Sequence, residues 1–317
     1  MTPERLLIAP EVAAALADGA PVVALESTLI SHGLPYPQNI EVASASEAAV
    51  RESGAVPATV AIHDGRILVG LDAAALEALA TAPKGSVRKA ARPSLAIALA
   101  EGGWAATTVS ATMIAAEAAG IRVFATGGIG GVHRGALAGA GGPGAARPAT
   151  FDVSSDLQEL GRTAVAVVCA GPKAILDVPA TLEYLETHGV PVLAVGQEDV
   201  PGFYARSSGI RAMASVPDIA TAARYVALHF AAGIGGGVLV CTPPPADLAI
   251  PEAEARTVVE QVVREADAAG IEGPAVTPWL LQRIAVLTDG RFVRTNTALI
   301  VNDARVAGQL SVSLAAR

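Results

Sequence analysis

The chain has 317 residues, of which 52% are hydrophobic and only 16% are charged, and its formal net charge is −8. This length and balance fit one large α/β domain and exclude an intrinsically disordered chain. A general nucleic-acid binder would normally be basic, so the acidic charge argues against that class. A phosphorylated small molecule still fits, because a local cationic pocket can lie in an acidic protein.

Cysteine usage and the first residues point to a cytoplasmic protein. The two cysteines, Cys169 and Cys241, imply no disulfide framework, and the N-terminus lacks the shape of a signal peptide. Residues 225–246 are almost free of charge, but four glycines interrupt this stretch and three prolines lie near its end. This pattern predicts a helix end, a glycine turn and a buried strand, not a membrane span.

The elements of the first half follow one another closely. Residues 3–20 predict a short amphipathic helix, and residues 21–28 predict an apolar strand that ends in a carboxylate and two hydroxyls. A helix is expected over 39–53. Two strands should follow, joined by a turn whose Asp64-Gly65 pair is a strong hairpin signal.

The second half continues the alternation of strands and helices. Strand, helix, strand and glycine-rich turn are expected from residue 106 to 131, and three further apolar runs predict buried strands, at 165–171, 190–196 and 236–241. Residues 174–189, directly after Lys173, predict a helix. Residues 137–148 are rich in glycine and alanine and predict a flexible surface loop inside a single domain that spans 1–317. The predicted fold is a three-layer α/β/α domain with a largely parallel mixed sheet.

Lysine is rare, and this makes each lysine informative. Of 22 cationic side chains only Lys84, Lys89 and Lys173 are lysines. Arginine keeps its charge, whereas a desolvated lysine can become a neutral amine. Lys84 is expected to be a surface residue. Lys173 follows a predicted buried strand, at the edge where ligands bind in open α/β sheets, and apolar surroundings there would expose a nucleophilic lone pair. A structural role for Lys173 remains the alternative.

Glu26 is the most telling carboxylate of the chain. It follows an apolar strand directly, and a buried carboxylate is costly unless it is paired or functional. Its pKa would be raised by burial, which suits a general acid. A helix cap or an ion pair is the competing interpretation.

Two further segments carry polar groups that could serve a site. The glycine-rich stretch 125–135, with Thr126 and His133, could direct several N–H groups at a phosphate, although tight turns also use glycine for steric reasons. Segment 150–160 places Asp152 and Asp156 beside two serines, a set that could hold a hard divalent ion and a sugar hydroxyl or could cap a helix. For Asn296 and Asn302, capping or turn roles are the plain alternative to a function.

Together these segments resemble the pseudouridine-5'-phosphate glycosidase family, which includes the indigoidine synthase A proteins. The matching strings cover about residues 20–305. They are VVALESTLISHGLPYPQN, GAVPATVAI, ATTVSATMI, VFATGGIGGVHRG, TFDVSSDLQEL, VVCAGPKAILD and the tail around Asn296.

The resemblance implies a lyase that reversibly cleaves pseudouridine 5'-phosphate to uracil and ribose 5-phosphate, as a homotrimer with one Mn²⁺ per subunit. It implies Glu26 as proton donor, Lys173 as the amine that forms a Schiff base with ribose C1', and Asp152 as the Mn²⁺ ligand. The implied substrate contacts are Lys89 on the phosphate side, Val109, Thr126, His133, Ser154, Ser155, Asp156 and Asn296.

The resemblance has two departures, and other functions stay open. Residues 137–148 form a longer stretch than is usual in the family, and their place between the glycine turn and Asp152 would let them cover the site. The family follows its phosphate lysine with Ser-Arg-Arg-Asp, whereas Ala90-Ala91-Arg92-Pro93-Ser94 follows Lys89 here, so one arginine remains. The alternatives are another Schiff-base enzyme on a sugar phosphate, such as an aldolase, and a non-catalytic sugar-phosphate binding protein. A sugar kinase lacks support because no nucleotide-triphosphate motif is found.

Overall fold

The computed structural model describes residues 3–136, 150–271 and 276–317. Its strands are β1 (Leu6–Ile8), β2 (Val22–Leu25), β3 (Val56–His63), β4 (Arg66–Val69), β5 (Arg88–Ala90), β6 (Trp104–Thr107), β7 (Val123–Ala125), β8 (Val132–His133), β9 (Ala166–Cys169), β10 (Leu176–Asp177), β11 (Val192–Val195), β12 (Ala214–Val216) and β13 (Val238–Cys241). The loop prediction for 137–148 lies outside the described residues.

The helices alternate with these strands through most of the chain. They are α1 (Pro10–Ala17), α2 (Gln38–Glu52), α3 (Ala73–Ala80), α4 (Leu95–Glu101), α5 (Val109–Ala119), α6 (Ser155–Leu160), α7 (Val178–Thr187), α8 (Ile219–Ala231), α9 (Glu252–Ala268), α10 (Val276–Leu287) and α11 (Arg291–Ala315).

One large sheet organises the domain, in the order β1-β4-β3-β2-β7-β9-β13-β11-β12, with β6 attached to β3 and β5 attached to β6. Strands β2, β7, β9, β13 and β11 pair in parallel, whereas β3 pairs with β4 and β6 in antiparallel fashion. All four residues of β2, β9 and β13 are buried, as expected for parallel strands covered on both faces.

Alternate residues of the central strands face different helix layers. Val22 and Ala24 pack with residues of α1, α5, α6 and α7, while Val23 and Leu25 pack with residues of α2, α8 and α11. The predicted three-layer α/β/α fold with a largely parallel mixed sheet is therefore confirmed. The hairpin is confirmed as well, with Asp64 and Gly65 at φ 48° and 74° in its turn.

Three local predictions were wrong. Residues 6–8 form an edge strand that pairs with β4, so the helix predicted from residue 3 begins only at Pro10. The helix predicted directly after Lys173 begins at Val178, because β10 intervenes and pairs with β8. Asn296 and Asn302 lie inside α11, not at a cap or turn.

The helix end, glycine turn and buried strand predicted for residues 225–246 are confirmed. Helix α8 ends at Ala231, glycines follow, and β13 begins at Val238 as a fully buried strand. Among the described residues, every helix is too short or too polar to cross a membrane.

Candidate active site

The carboxyl ends of two strands meet in the middle of the sheet. Strand β3 pairs through its first residues with β2 and through its last residues with β6, and β2 and β6 approach it from opposite directions. The Ser27 amide donates to the Thr107 carbonyl oxygen at 3.3 Å, and the Thr107 amide donates to Ser27 Oγ at 2.9 Å. Side chains that follow β2 therefore face side chains carried by β5, β6 and the start of α5.

Glu26 lies partly buried at this junction, directly after β2. The Thr126 hydroxyl donates to one of its carboxylate oxygens. Burial raises the pKa of Glu26, and the negative charge of Asp156 adds to this; Lys173, the Thr126 hydrogen bond and Lys89 oppose it without cancelling it. The carboxyl group therefore keeps its proton to higher pH than an ordinary glutamate, which suits a general acid.

Two lysines reach the same place from different strands. Lys89 pairs beside Ala106 on β6, and Lys173 follows β9. Lys89 is exposed along part of its side chain, yet desolvation is the largest cause that lowers its pKa, followed by the charge of Lys173. Glu26 and Asp156 act in the opposite direction. The structure thus brings Glu26, Lys89, Lys173 and Asp156 within electrostatic reach of one another.

Asp156 is buried, and both of its carboxylate oxygens accept backbone hydrogen bonds. Oδ1 accepts from the Ser110 amide and Oδ2 from the Gly130 amide, each at 3.0 Å. Because Ser110 lies in the first turn of α5, Asp156 satisfies an N–H group that this helix leaves open. The residue therefore anchors α5 and the glycine turn, in addition to any contact with substrate.

The neighbouring serines have defined partners too. Ser154 caps α6, since its Oγ accepts from the Asp156 amide at 3.2 Å. Ser155 Oγ lies 3.1 Å from Ser110 Oγ. The predicted helix cap in this segment is thus confirmed, and the substrate contacts of both serines stay predictions.

Close packing accounts for the glycines of the turn after β7. A Cβ atom at Gly127, Gly128, Gly130 or Gly131 would lie within 2.7 Å of Ile300, Phe203, Ser154 or Thr181. The Ile129 amide donates to the Gly171 carbonyl oxygen, and the Val132 amide donates to Thr181 Oγ1. These N–H groups therefore bind protein acceptors, and the phosphate contacts of Thr126 and His133 stay predictions.

Asp152 and His133 form a pair beside the central cluster. Asp152 Oδ2 lies 3.6 Å from His133 Nδ1, and Asp152 is an exposed residue. In residues 3–136, 150–271 and 276–317, no group of three or more His, Cys, Asp or Glu side chains is placed to hold a metal ion. The donors present offer one carboxylate, so an ion here would take most of its ligands from water.

Val109 and Asn296 border the site from two helices. Val109 is the first residue of α5 and is buried. Asn296 is partly buried in α11, and its amide has no hydrogen-bond partner within the described part of the chain. Ile300, one turn later, lines a small cavity with Glu26 and Thr126. That cavity has a volume of about 10 Å³, which is room for roughly one water.

A larger cavity is separate from these ionisable groups. It has a volume of about 380 Å³ and borders segment 174–179, with Arg134 and Arg256 in its lining. Glu26, Lys89, Lys173 and Asp156 are not among its lining residues. The cluster of charges, not the larger hollow, therefore defines the candidate active site.

Sequence reasoning missed two residues here. Ser110 is fully buried and contacts three segments of the site, but serine in an apolar helix start gives no local signal. His32 is exposed, and its pKa is lowered first by desolvation and then by Lys89, so the turn at Leu29–Gly33 reaches Lys89. The one sequence signal for His32 is its place in the string SHGLPYP, which contributes to the family resemblance.

Comparison with known proteins places the chain in a family. The family model described as indigoidine synthase A like protein matches residues 11–313. The chain belongs to this family. The resemblance found in the sequence, and with it the prediction of an enzyme, is confirmed.

Curated relatives match along their whole length. The chain is 54% identical to a pseudouridine-5'-phosphate glycosidase of Paracoccus denitrificans, over 99% of each chain. It is 52% identical to the enzyme of the same name from Solibacter usitatus, over 98% of this chain and 99% of the relative.

Solved structures agree with the fold. A prealnumycin C-glycosynthase in complex with ribulose 5-phosphate superposes with a TM-score of 0.88 at 38% identity, covering 99% of this chain and 98% of that one. An indigoidine synthase A-like protein from Thermotoga maritima superposes with a TM-score of 0.84 at 32% identity, covering 98% and 96%.

Proposed function

We propose that the chain reversibly cleaves the C-glycosidic bond of pseudouridine 5'-phosphate to give uracil and ribose 5-phosphate. The names of the curated relatives and the ribulose 5-phosphate bound to a structural neighbour support a sugar-phosphate substrate. One observation of this chain carries the proposal: an acid with a raised pKa, directly after β2, lies within electrostatic reach of Lys173, which follows β9, and of Lys89 on β5.

The chemistry of the substrate explains why this combination is needed. An ordinary glycosidase protonates a leaving heteroatom and uses two carboxylates. In a C-glycoside the uracil atom bonded to C1' is a carbon, so uracil must be protonated on that carbon as it leaves. The bonding electrons go with uracil, so C1' must be stabilised by another electron donor. An amine that bonds to C1' provides this, because its lone pair can form a carbon–nitrogen double bond as the base departs.

In the proposed sequence, the lone pair of Lys173 Nζ bonds to C1', the ring oxygen leaves C1', and the proton that the nitrogen then loses goes to that oxygen. The nitrogen lone pair then forms the iminium while the electrons of the C1'–uracil bond go to the uracil carbon. Glu26 donates the proton to that carbon, and water hydrolyses the iminium to release ribose 5-phosphate. Lys89 neutralises the phosphate side of the substrate, with Ser154, Ser155, Asn296 and the backbone at Val109 holding the sugar and base.

Manganese at Asp152 is part of the proposal, but no step depends on it. A hard divalent ion held through one carboxylate would help to orient the substrate or a water molecule. A cytoplasmic homotrimer is likewise proposed from the family resemblance, and light scattering of the purified protein tests the trimer.

The test is release of uracil from pseudouridine 5'-phosphate, measured with and without Mn²⁺. Borohydride added during turnover should reduce the iminium and leave ribose 5-phosphate covalently attached to the peptide that contains Lys173. Binding of the substrate without any uracil would support a binding protein instead. If borohydride attaches a carbonyl compound to Lys173 but no uracil is released, the result would support an aldolase.

A further inference from the structure

Ser110 is the point at which three segments of the active site meet. It is fully buried at the start of α5. Its Oγ accepts from the Arg92 amide at 3.1 Å and lies 3.1 Å from Ser155 Oγ and 3.2 Å from Thr108 Oγ1. A hydroxyl has one donor and two acceptor sites, so these three contacts use its full capacity.

One of these contacts leads to Lys89. Between Lys89 and Arg92 the chain is fixed at two points, because the Ala90 carbonyl accepts from the Thr108 amide at 2.8 Å and the Ala91 amide donates to Ser94 Oγ at 3.0 Å. Arg92 is held at both ends, by its amide on Ser110 and by its guanidinium, 2.9 Å from Oε2 of the buried Glu159 on α6. The attachment of Arg92 is therefore one of the contacts that place the segment carrying Lys89.

The other contact leads to the segment that starts α6. Ser155 bonds to the Ser110 hydroxyl, and Asp156 accepts from the Ser110 amide at 3.0 Å. Asp156 is a charged neighbour of both Glu26 and Lys89. The two sides of the site, one with Lys89 and one with Ser155 and Asp156, are thus joined through a single buried residue.

We propose that Ser110 is a positioning residue of the active site: its hydroxyl fixes the segment of Lys89 against the segment of Ser155 and Asp156, so that together they fit the phosphorylated sugar. This inference rests on the proposed function for its substrate. Ser110 contacts other protein groups and acts on the reaction only through them. Loss of the hydroxyl should mainly weaken substrate binding, since Lys89 and Ser155 are expected to contact the substrate.

The experiment compares S110A with S311A. Ser311 is a matched control because it is also a buried serine with one bonded hydroxyl, which donates to the Val22 carbonyl at 3.1 Å, at the end of β2 remote from Glu26. We expect S110A to raise KM for pseudouridine 5'-phosphate about tenfold, the effect of one lost buried hydrogen bond, with kcat within about threefold. S311A should leave KM unchanged.

A second readout separates positioning from general destabilisation. Burial raises the pKa of Glu26 and the charge of Lys89 opposes this, so displacement of Lys89 should move the alkaline fall of kcat/KM to higher pH in S110A and not in S311A. A KM and a pH profile that match those of S311A would overturn the proposal. If S110A does not fold, S110C carries the same test, since sulfur nearly preserves the volume but bonds weakly.

Failure of the proposed function can be distinguished from failure of the positioning role of Ser110. If the wild type and S311A release no uracil, calorimetric titration with ribose 5-phosphate decides the role of Ser110. Weaker binding by S110A than by S311A supports the positioning role, and equal binding overturns it.

Discussion

Two regions beside the sheet each contain an acid with a raised pKa, and they differ in the charged and hydrogen-bonding groups around that acid. Glu26 has a hydroxyl donor and two lysines near its carboxylate. Asp303 on α11 is fully buried, and burial raises its pKa more than the backbone amide of Ala170 lowers it. Its neighbours are the carboxyl ends of β9 and β13, where Cys169 and Cys241 lie in register.

This difference shows that burial alone does not identify a catalytic acid. Desolvation is the largest cause of the raised pKa in both cases. Only Glu26 also has cations nearby that would stabilise its anion after the proton has left. We therefore expect Glu26 to give up and regain a proton during turnover, whereas the surroundings of Asp303 favour its protonated form.

The largest expected effect concerns the lysine beside Glu26. Lys173→Ala should lower kcat by about 10⁴-fold or more, because it removes the group proposed to bond to the sugar. The measurement is uracil release at saturating substrate. Lys84→Ala is the matched control, since Lys84 is an exposed lysine in a loop, and it should change kcat less than twofold. Full activity of Lys173→Ala would contradict the proposed chemistry.

The second prediction concerns Glu26 itself. Glu26→Gln should lower kcat by about 10²- to 10⁴-fold, the usual contribution of a general acid. The wild type should lose kcat/KM as pH rises through the raised pKa of Glu26, because the protonated form is the active one. The variant cannot titrate at this position and should lack that alkaline fall. An unchanged pH profile in the variant would assign the proton donor to another group.

The third prediction concerns Asp303 and is a change in stability, not in catalysis. The folded chain keeps the Asp303 proton at pH values where the unfolded chain has released it. The free energy of unfolding should therefore fall as pH rises above the ordinary pKa of aspartate, by up to about 1.4 kcal/mol per pH unit, until the raised pKa is passed.

Asp303→Asn provides the comparison for this effect. The amide has nearly the same shape and cannot ionise, so urea unfolding between pH 5 and pH 8 should show a shallower decline in the variant than in the wild type. Parallel curves for the two proteins would mean that Asp303 is ionised in the folded state. The kcat of the variant should stay within about threefold of the wild-type value, since Asp303 is not in the proposed machinery.

Much of the site could be predicted because its residues directly follow apolar strands. Glu26 and Lys173 each follow a run of buried residues, and the carboxyl ends of parallel strands meet at one edge. The roles of Asp156 and Ser110 could not be predicted in the same way. Their hydrogen bond joins residues 46 positions apart, and its formation depends on how α5 and α6 pack.

The errors in the predicted fold have a similar origin. Strand β1 has three residues and owes its conformation to β4, about sixty positions later in the chain. Strand β10 has two residues and exists because β8 pairs with it. Short segments of this kind lack a periodicity of their own, so the adjoining helical pattern dominated the prediction.

The place of α11 has a consequence for the newly made protein. This last helix contacts α2 and α8 and packs on the face of the sheet that contains Val23, Leu25 and Val168. Because α11 leaves the ribosome after β2, β9, α2 and α8, the part of that apolar face which α11 covers stays open to solvent until α11 has been made. A nascent chain that stalls before residue 291 would therefore be a substrate for chaperones.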